Sequence, residues 1–372
     1  MTRDATMADT ALYDALVRRD PAYDGRAFVA VLSTGIFCRL TCAARKPRRE
    51  NCRFFETAKA CLDAGFRPCK RCSPMRPAAD SDPLVRDLLS ALEAHPDHRW
   101  RETDVAMLGY DPSTVRRAFK RHFGLTFLDL ARHTRLRSGF QTLSDGGRVI
   151  DAQVEAGFDS GGGFRTAFAR LMGCAPADMT GRERLKADWI DTPLGAMIAV
   201  ADRDALYLLE FIDRKALPRE LANLRQAAAG GVGTGRTAIT DQIETELAAY
   251  FVGRSARFTV PIAPAGSAFA RSVWAALRRI PPGETRSYAD IARELGRPAA
   301  VRAVARANGA NRLALVIPCH RVIGSDGSLT GYGGGLWRKQ SLIDLEQRIA
   351  ARISSCGEPA DRPQSAGPSL TP

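Results

Sequence analysis

Two close cysteine pairs, Cys38-x3-Cys42 and Cys69-x2-Cys72, separated by 26 residues, constrain the fold of this 372-residue chain more than any other feature. Four thiolates at such spacings close a tetrahedral zinc site, so the chain must return on itself to bring residue 72 beside residue 38. One Zn2+ per chain, held by Cys38, Cys42, Cys69 and Cys72, is expected. A disulfide reading is disfavoured by compartment. The N-terminus MTRDATMADT has no apolar run behind its charges, and no stretch of 18 apolar residues occurs, so neither a secretory signal nor a membrane span is expected. A cytoplasmic address follows, where thiols stay reduced. Cys52 and Cys61 lie between the pairs without a close partner and read as small buried hydrophobes. Spacing leaves the use of the metal open, because an inert structural clip and a reactive thiolate look alike in sequence.

Charge narrows the partner. The formal net charge is +13. Between Cys38 and Arg76 lie eleven Lys and Arg residues, Arg45 and Arg67 among them, opposed only by Glu50, Glu56 and Asp63. A solvated surface mixes the two signs; a short segment this one-sided reads as a phosphate-contacting face.

An internal repeat organises the middle of the chain. AMLGYDPSTVRRAFKRHFG (106–124) is echoed by VEAGFDSGGGFRTAFARLMG (154–173), with Gly109 matching Gly157, Tyr110 Phe158, Val115 Phe164, Phe119 Phe168, and Gly124 Gly173. Each copy reads as a helix, a Gly-aromatic turn and a second helix, which is the chemistry of a helix-turn-helix. Outward basic residues, Arg116 in the first copy and Arg165 in the second, point to DNA rather than to scaffold alone. Helical periodicity begins at Leu84, Leu88 and Leu92, after a Pro- and Asp-rich break at residues 74–83, and runs to about Met179. The Gly-rich stretch AAAGGVGTGRT (227–237) lacks the context of a dinucleotide-binding loop and reads as a plain loop. Polar, Pro-rich residues from Ser354 onward read as a disordered tail.

The sharpest local signal is IPCHRV (317–322). A thiol in water is mostly protonated and needs a neighbouring base to become a nucleophile. Cys319 and His320 are adjacent, but side chains of consecutive strand residues diverge. A turn is therefore required, and Pro318 is placed to set one.

STGIFCRLTC and AGFRPCKRC resemble the N-terminal domain of the Ada family, in which the first cysteine, here Cys38, accepts a methyl group from a methyl phosphotriester. Leu40 stands where relatives often carry proline. Residues 84–180 resemble the AraC-type regulatory domain, with Gly161, Gly162 and Gly163 where relatives tend to have Ser and aromatic residues; three glycines weaken the start of a recognition helix. From Phe269 to Glu346, PCHRV with GETRSYADIA and GYGGGLWRK resembles the active-site domain of O6-methylguanine-DNA methyltransferases.

The resemblance implies roles residue by residue. Cys319 is the alkyl acceptor, His320 relays its proton through a water, and Glu346 orients the imidazole. Tyr288 donates a hydrogen bond to the leaving base, and Asn311 ties down the cysteine loop. Tyr332 and Gly333 lie in the loop closing over the base, with Lys339 just beyond. Arg302, on a helix from Pro298 to Gly309 that also carries Arg306, enters the duplex and fills the space of the extruded nucleotide.

The implied fold is multidomain α+β. It has a zinc-bound α/β domain over 1–80, an AraC-type all-α double helix-turn-helix over 81–182, a small ribonuclease-H-like α/β domain over 183–262, a helical winged-helix-like methyltransferase domain over 263–352, and a tail over 353–372. The implied activity is single-turnover transfer of alkyl groups from O6-alkylguanine and O4-alkylthymine to Cys319. Methylation of zinc-bound Cys38 would bring the centre from a formal charge of −2 to −1 and so raise affinity for promoter DNA. Implied partners are alkylated double-stranded DNA, promoter DNA and RNA polymerase, for a nucleoid-associated monomer.

Two other readings make different demands. A non-enzymatic transcription factor with a structural zinc requires a degenerate C-terminal domain, which intact PCHRV, Tyr288, Asn311, Arg302 and Glu346 oppose. A thiol redox regulator requires a resolving partner for Cys319, and only Cys174 and Cys356 are left to serve.

Overall fold

A computed structural model describes residues 3–20, 23, 27–56, 60–61, 64–69, 71–72, 74, 82–179, 183–228, 231–325, 327 and 329–355. The helix that ends the described chain runs to Ser355, so the first residues of the stretch expected to be a disordered tail are helical; from residue 356 onward it lies outside the described residues.

The N-terminal unit is a helix, α1 (Arg3–Arg18), against a four-stranded sheet of β1 (Phe28–Val31), β2 (Ile36–Arg39), β3 (Cys52–Phe55) and β4 (Arg67–Pro68) in the order β3-β1-β2-β4. Strand alternation sorts its side chains. Phe28, Ala30 and Phe37 face one small core that contains Cys61, and Val29, Cys38 and Leu40 face another that contains Cys42. Cys61 is fully buried, as expected of a small hydrophobe, and Cys52 is partly buried.

The helical middle runs α2 (Pro83–Ala94), α3 (Glu102–Met107), α4 (Pro112–Phe123), α5 (Phe127–Ser144), α6 (Val149–Glu155) and α7 (Gly161–Met172). The sequence repeat is a structural repeat. Gly109 and Gly157 take left-handed φ of 83° and 64° in the two turns, and Gly124 and Gly173 close α4 and α7 at 76° and 71°. Asp111 accepts from Thr114 N at 2.8 Å and Ser160 from Gly163 N at 3.1 Å, so both second helices are N-capped. Gly161, Gly162 and Gly163 form the first turn of α7 under that cap; the helix begins there despite their poor propensity.

A second four-stranded sheet follows, of β5 (Leu185–Ile190), β6 (Met197–Ala201), β7 (Leu206–Phe211) and β8 (Val232–Thr234) in the order β7-β6-β5-β8. Strand β8 runs through the Gly-rich stretch read as a plain loop. Val232 is fully buried and the segment pairs in parallel with β5; three residues are too few to show a periodicity. Helices α8 (Leu217–Ala227) and α9 (Ala238–Phe251) complete this unit.

Both faces of the sheet are buried. Met197, Ala199 and Ala201 enter one core with α9 and the C-terminal helices, while Ile198 and Val200 enter another with Phe140, Phe164, Phe168 and Leu171 of the helical middle. The C-terminal unit comprises α10 (Ala268–Arg278), β9 (Arg286–Ser287), α11 (Tyr288–Glu294), α12 (Val301–Gly309), β10 (Val322–Ile323) and α13 (Leu336–Ser355). No helix among the described residues is long and apolar enough to cross a membrane.

The shared core makes the repeat-equivalent glycines unequal. A Cβ at Gly124 would meet nothing within 4 Å, whereas one at Gly173 would lie 2.2 Å from the backbone oxygen of Pro218 on α8. Gly124→Ala is expected to cost about 1–2 kcal/mol of backbone strain. Gly173→Ala adds a backbone clash and should cost about 2–4 kcal/mol. Thermal unfolding of the two full-length variants checks this, and equal losses would contradict the packing described.

Candidate metal centre and nucleophile pocket

Cys38 sits in β2 directly across from Val29, and the chain turns back at once, with Cys42 N donating to Arg39 O at 3.1 Å. Strand β4 pairs in parallel beside β2, and Cys69 N donates to Phe37 O at 2.9 Å, which delivers the second cysteine pair to the first. The four sulfurs of Cys38, Cys42, Cys69 and Cys72 all lie within 4.8 Å of one another. A tetrahedral zinc with Zn–S near 2.3 Å spaces its sulfurs by about 3.8 Å, so the donor set fits the ion in number, type and reach.

As free thiols Cys38 and Cys42 make conflicting demands. Hydrogen bonding to Cys42 and Cys72, then burial, push Cys38 far above the usual thiol range, while hydrogen bonding to Cys38 and Cys72 draws Cys42 down to about 2. A divalent cation held by Cys38, Cys42, Cys69 and Cys72 would resolve that conflict by favouring the thiolate form of each.

The basic segment around the centre divides in two. Arg45 and Arg67 are exposed. Arg39 is instead 4% exposed and turns inward, donating from Nε to Cys72 O at 3.3 Å. Lys46 Nζ reaches Leu40 O at 3.3 Å. Both cations satisfy carbonyls around the sulfurs, Arg39 buried and Lys46 half-buried. Arg116 on α4 and Arg165 on α7 are exposed, Arg116 in an ion pair with Glu102, and Arg302 and Arg306 are exposed on α12.

The second site is built on a single turn of 3-10 helix, Cys319–Arg321, entered from Pro318 at φ −79°. The turn that adjacent Cys and His side chains require is therefore present. It is strung between two layers. Leu209 of β7 bonds on both sides, to Arg312 O and from Ala314 N at 2.8 Å each, and β10 pairs in parallel with β9 immediately before Tyr288.

His320 is fully buried, and its Nε2 lies 2.9 Å from Glu346 Oε1, which leaves Nδ1 buried with no protein partner. Burial pushes His320 down, opposed by the Glu346 carboxylate. Burial pushes Glu346 up, but the His320 and Arg321 groups on it outweigh this and hold it well below the usual carboxylate range. Cys319 is 7% exposed and receives a hydrogen bond on Sγ from Asn311 Nδ2 at 3.1 Å. Burial pushes its thiol up and the Asn311 donor pulls it down. No hydrogen bond joins Cys319 Sγ to His320 among the described contacts.

Above the sulfur lies a cavity of about 420 Å³, lined among others by Tyr288, Asn308, Asn311, Cys319 and the 330–334 segment. Tyr288 OH donates to Thr330 O at 3.3 Å, and Lys339 Nζ donates to Thr330 O at 2.6 Å, so both hold the closing loop. Tyr332 lines the cavity with a buried hydroxyl that has no protein partner.

Several members of the site carried no expectation. Arg321 donates to both Glu346 oxygens, at 2.7 and 2.8 Å, and Tyr250 OH donates to Oε1 at 2.9 Å. Asn308 Nδ2 reaches Cys319 O at 3.4 Å. Arg321 stands inside the quoted PCHRV and was open to inference; Tyr250, 96 residues from Glu346, left no local signal. Cys174, one of the two possible redox partners, is buried in the other core, and the described cysteines are free thiols.

The chain matches three family models in succession: the metal binding domain of Ada over residues 11–75, a helix-turn-helix domain over 105–182, and the 6-O-methylguanine DNA methyltransferase DNA binding domain over 268–348. The methylated-DNA–protein-cysteine methyltransferase of Mycolicibacterium paratuberculosis is 45% identical over 160 residues, 43% of this chain and 90% of its own. The crystal structure of the Mycobacterium tuberculosis O6-methylguanine methyltransferase shares 37% identity over 48% of this chain and 96% of that one, with a TM-score of 0.40. The bifunctional transcriptional activator/DNA repair enzyme Ada of Escherichia coli K12 is 36% identical over 358 residues, 93% of this chain and 98% of its own. With three family models in succession along the chain and that relative matched over nearly its whole length, the chain belongs to the Ada family of bifunctional transcriptional activators and DNA repair enzymes.

Proposed function

We propose that Cys319 removes alkyl groups from O6-alkylguanine and O4-alkylthymine in DNA, and that zinc-bound Cys38 takes the methyl group of a methyl phosphotriester. The observation that carries the first reading is a buried sulfur on the floor of a base-sized cavity, beside a histidine whose second nitrogen is already committed to a carboxylate. The S–CH3 bond forms as the O6–CH3 bond breaks, and the electron pair passes to the base. The sulfur's proton goes to His320 Nδ1 through one bridging water. Glu346 then faces an imidazolium, and Tyr288 swings its hydroxyl from Thr330 to the base as charge develops there. Asn311 holds the sulfur in line. The thioether product has no leaving group, so each molecule acts once.

At the first site the metal keeps four sulfurs as thiolates at neutral pH, and Cys38 is the member that reacts. Arg45 and Arg67 contact the surrounding phosphates. Loss of one negative charge on methylation raises affinity for promoter DNA, which Arg116 of α4 and Arg165 of α7 approach with their N-capped helices. Arg302 and Arg306 of α12 engage the duplex around the extruded nucleotide. The labour divides as 1–80 for phosphotriester repair, 81–182 for promoter binding, 183–262 as scaffold and 263–352 for base repair. The protein acts as a monomer on the nucleoid in the cytoplasm and contacts RNA polymerase as an activator, a finer reading supported by the family's regulatory half.

Alkylated DNA should consume the protein one to one. Cys319→Ala and Cys319→Ser should abolish transfer from guanine while leaving Cys38 transfer intact, as read by mass mapping of methylated peptides. Repeated turnover would refute this chemistry.

Removing the metal should separate the two sites. Cys42→Ala, or a strong chelator, should release the zinc and end phosphotriester transfer, while Cys61→Ala retains the ion and base repair at Cys319 persists. Metal content and methyl mapping on the same samples give the result. Equal promoter binding by Cys38-methylated protein and by the unmethylated, zinc-loaded protein would count against the charge switch.

A further inference from the structure

The proposed transfer leaves one buried ion pair in the cavity wall without a task. Glu210, in β7, is 3% exposed, and Arg214, in the turn that follows, 8%. Both line the cavity that contains Cys319. Arg214 pairs with Glu210 and with Glu220 of α8. It also donates to Asn311 O at 2.8 Å and to Gly309 O at 2.9 Å. Gly309 is the last residue of α12, so the guanidinium sits where a helix C-terminus favours a cation. Gly333 of the closing loop packs on its other side; a Cβ there would come within 2.7 Å of Arg214 Nε. One side chain thus touches the end of α12, the closing loop and Asn311, the residue that hydrogen-bonds the Cys319 sulfur at 3.1 Å.

The charges do not balance when all are ionised, since one guanidinium faces two carboxylates in a dry wall. Burial pushes Glu220 up and Glu210 up to about 7, each opposed by Arg214. The groups facing Glu210 are Arg214, Glu220, Cys319 and the Tyr332 hydroxyl, with Lys339 beyond the sulfur, Arg338 beside Tyr332 and Arg312 beside Glu220.

We propose that Glu210 and Arg214 are a positioning pair for Cys319: Arg214 clamps Asn311 and the closing loop about the sulfur, and Glu210 holds Arg214 in the cavity wall that faces the sulfur. This rests on Cys319 being the nucleophile. Glu210 makes and breaks no bond in the transfer; the sulfur's proton goes to His320. The sign follows directly. Below neutral pH Glu210 is protonated and the Arg214–Glu220 charges cancel. Above it an extra negative charge faces the sulfur and opposes its ionisation, so the usual rise of thiol reactivity with pH is blunted. Glu210→Gln, of the same shape and without charge, removes the blunting.

The test uses the full-length, zinc-loaded chain. Labelling of Cys319 by iodoacetamide is followed by peptide mass mapping, in parallel with single-turnover methyl transfer from duplex DNA carrying O6-methylguanine. Glu210→Gln should match the parent near pH 6 and label about three- to tenfold faster near pH 9. Arg214→Lys, which loses the forked contact, should slow Cys319 transfer about tenfold without changing transfer at Cys38. Parallel pH profiles for the parent and Glu210→Gln, or an undiminished Cys319 rate in Arg214→Lys, would overturn the pair. Diverging labelling profiles in a parent that takes no methyl from guanine would uphold the pair and instead sink the base-repair reading.

Discussion

The Glu346 carboxylate is the interaction on which the C-terminal half depends. Fully buried on α13, it accepts from His320 and Tyr250 on one oxygen and from Arg321 on both. An unpaired carboxylate there would cost several kcal/mol in desolvation, and removing a partner from a buried ionic cluster typically costs about 3–5 kcal/mol. The satisfied cluster joins α13, α9 and the Cys319–Arg321 turn, and so fixes which way the turn presents its sulfur. It also sets the charge balance. With His320 neutral, Arg321 and Glu346 cancel; in the proposed transfer a proton moved from sulfur to imidazole would create a positive and a negative charge together inside one low-dielectric site. Separation within one site is the cheapest way to ionise a buried thiol.

On the proposed function, the two cysteine sites solve the same problem with different means. A thiol must lose its proton before it can attack carbon. In the N-terminal unit a divalent cation shared by four sulfurs is fitted to that task, supported by inward-turned Arg39 and Lys46 on the surrounding carbonyls. In the C-terminal unit a histidine and carboxylate replace the metal, and Asn311 takes the place of a ligand on sulfur. The metal site needs only a four-stranded sheet and two turns. The histidine site draws on β7, β9, α9, α12 and α13, because each of its donors must itself be held by a buried partner.

The regulatory helices are not a bead on a string. The sheet gives alternate residues of β6 to two cores, one shared with the nucleophile unit and one with α5 to α7. A second bridge lies closer to the chemistry. Phe123 of α4 meets Trp337 edge-on at 5.4 Å, and Trp337 directly follows the closing loop. Next to it, Arg338 lies over the rings of Phe211 and Trp337 and binds Asp213 at 2.8 Å. The helical repeat therefore packs onto both the scaffold sheet and the segment that frames the cavity.

Much of this was legible in the chain itself. Cysteine spacing predicted the four-sulfur site because metal geometry tolerates few spacings. The Gly-aromatic repeat predicted two helical hairpins because only glycine enters a left-handed turn without strain. Pro318 before Cys319 announced a turn. Contacts between distant segments were not legible. Tyr250 on Glu346 and Arg214 on Asn311 join residues nearly a hundred positions apart, and β8 hides in a glycine run because its pairing belongs to β5 rather than to its own composition. The inward turn of Arg39 belongs to the same class. Sequence by itself determined which groups are candidates for the chemistry, since spacing and residue type are local properties. Tertiary structure alone decided which buried charges face one another, because burial and partner choice are set by how the layers close.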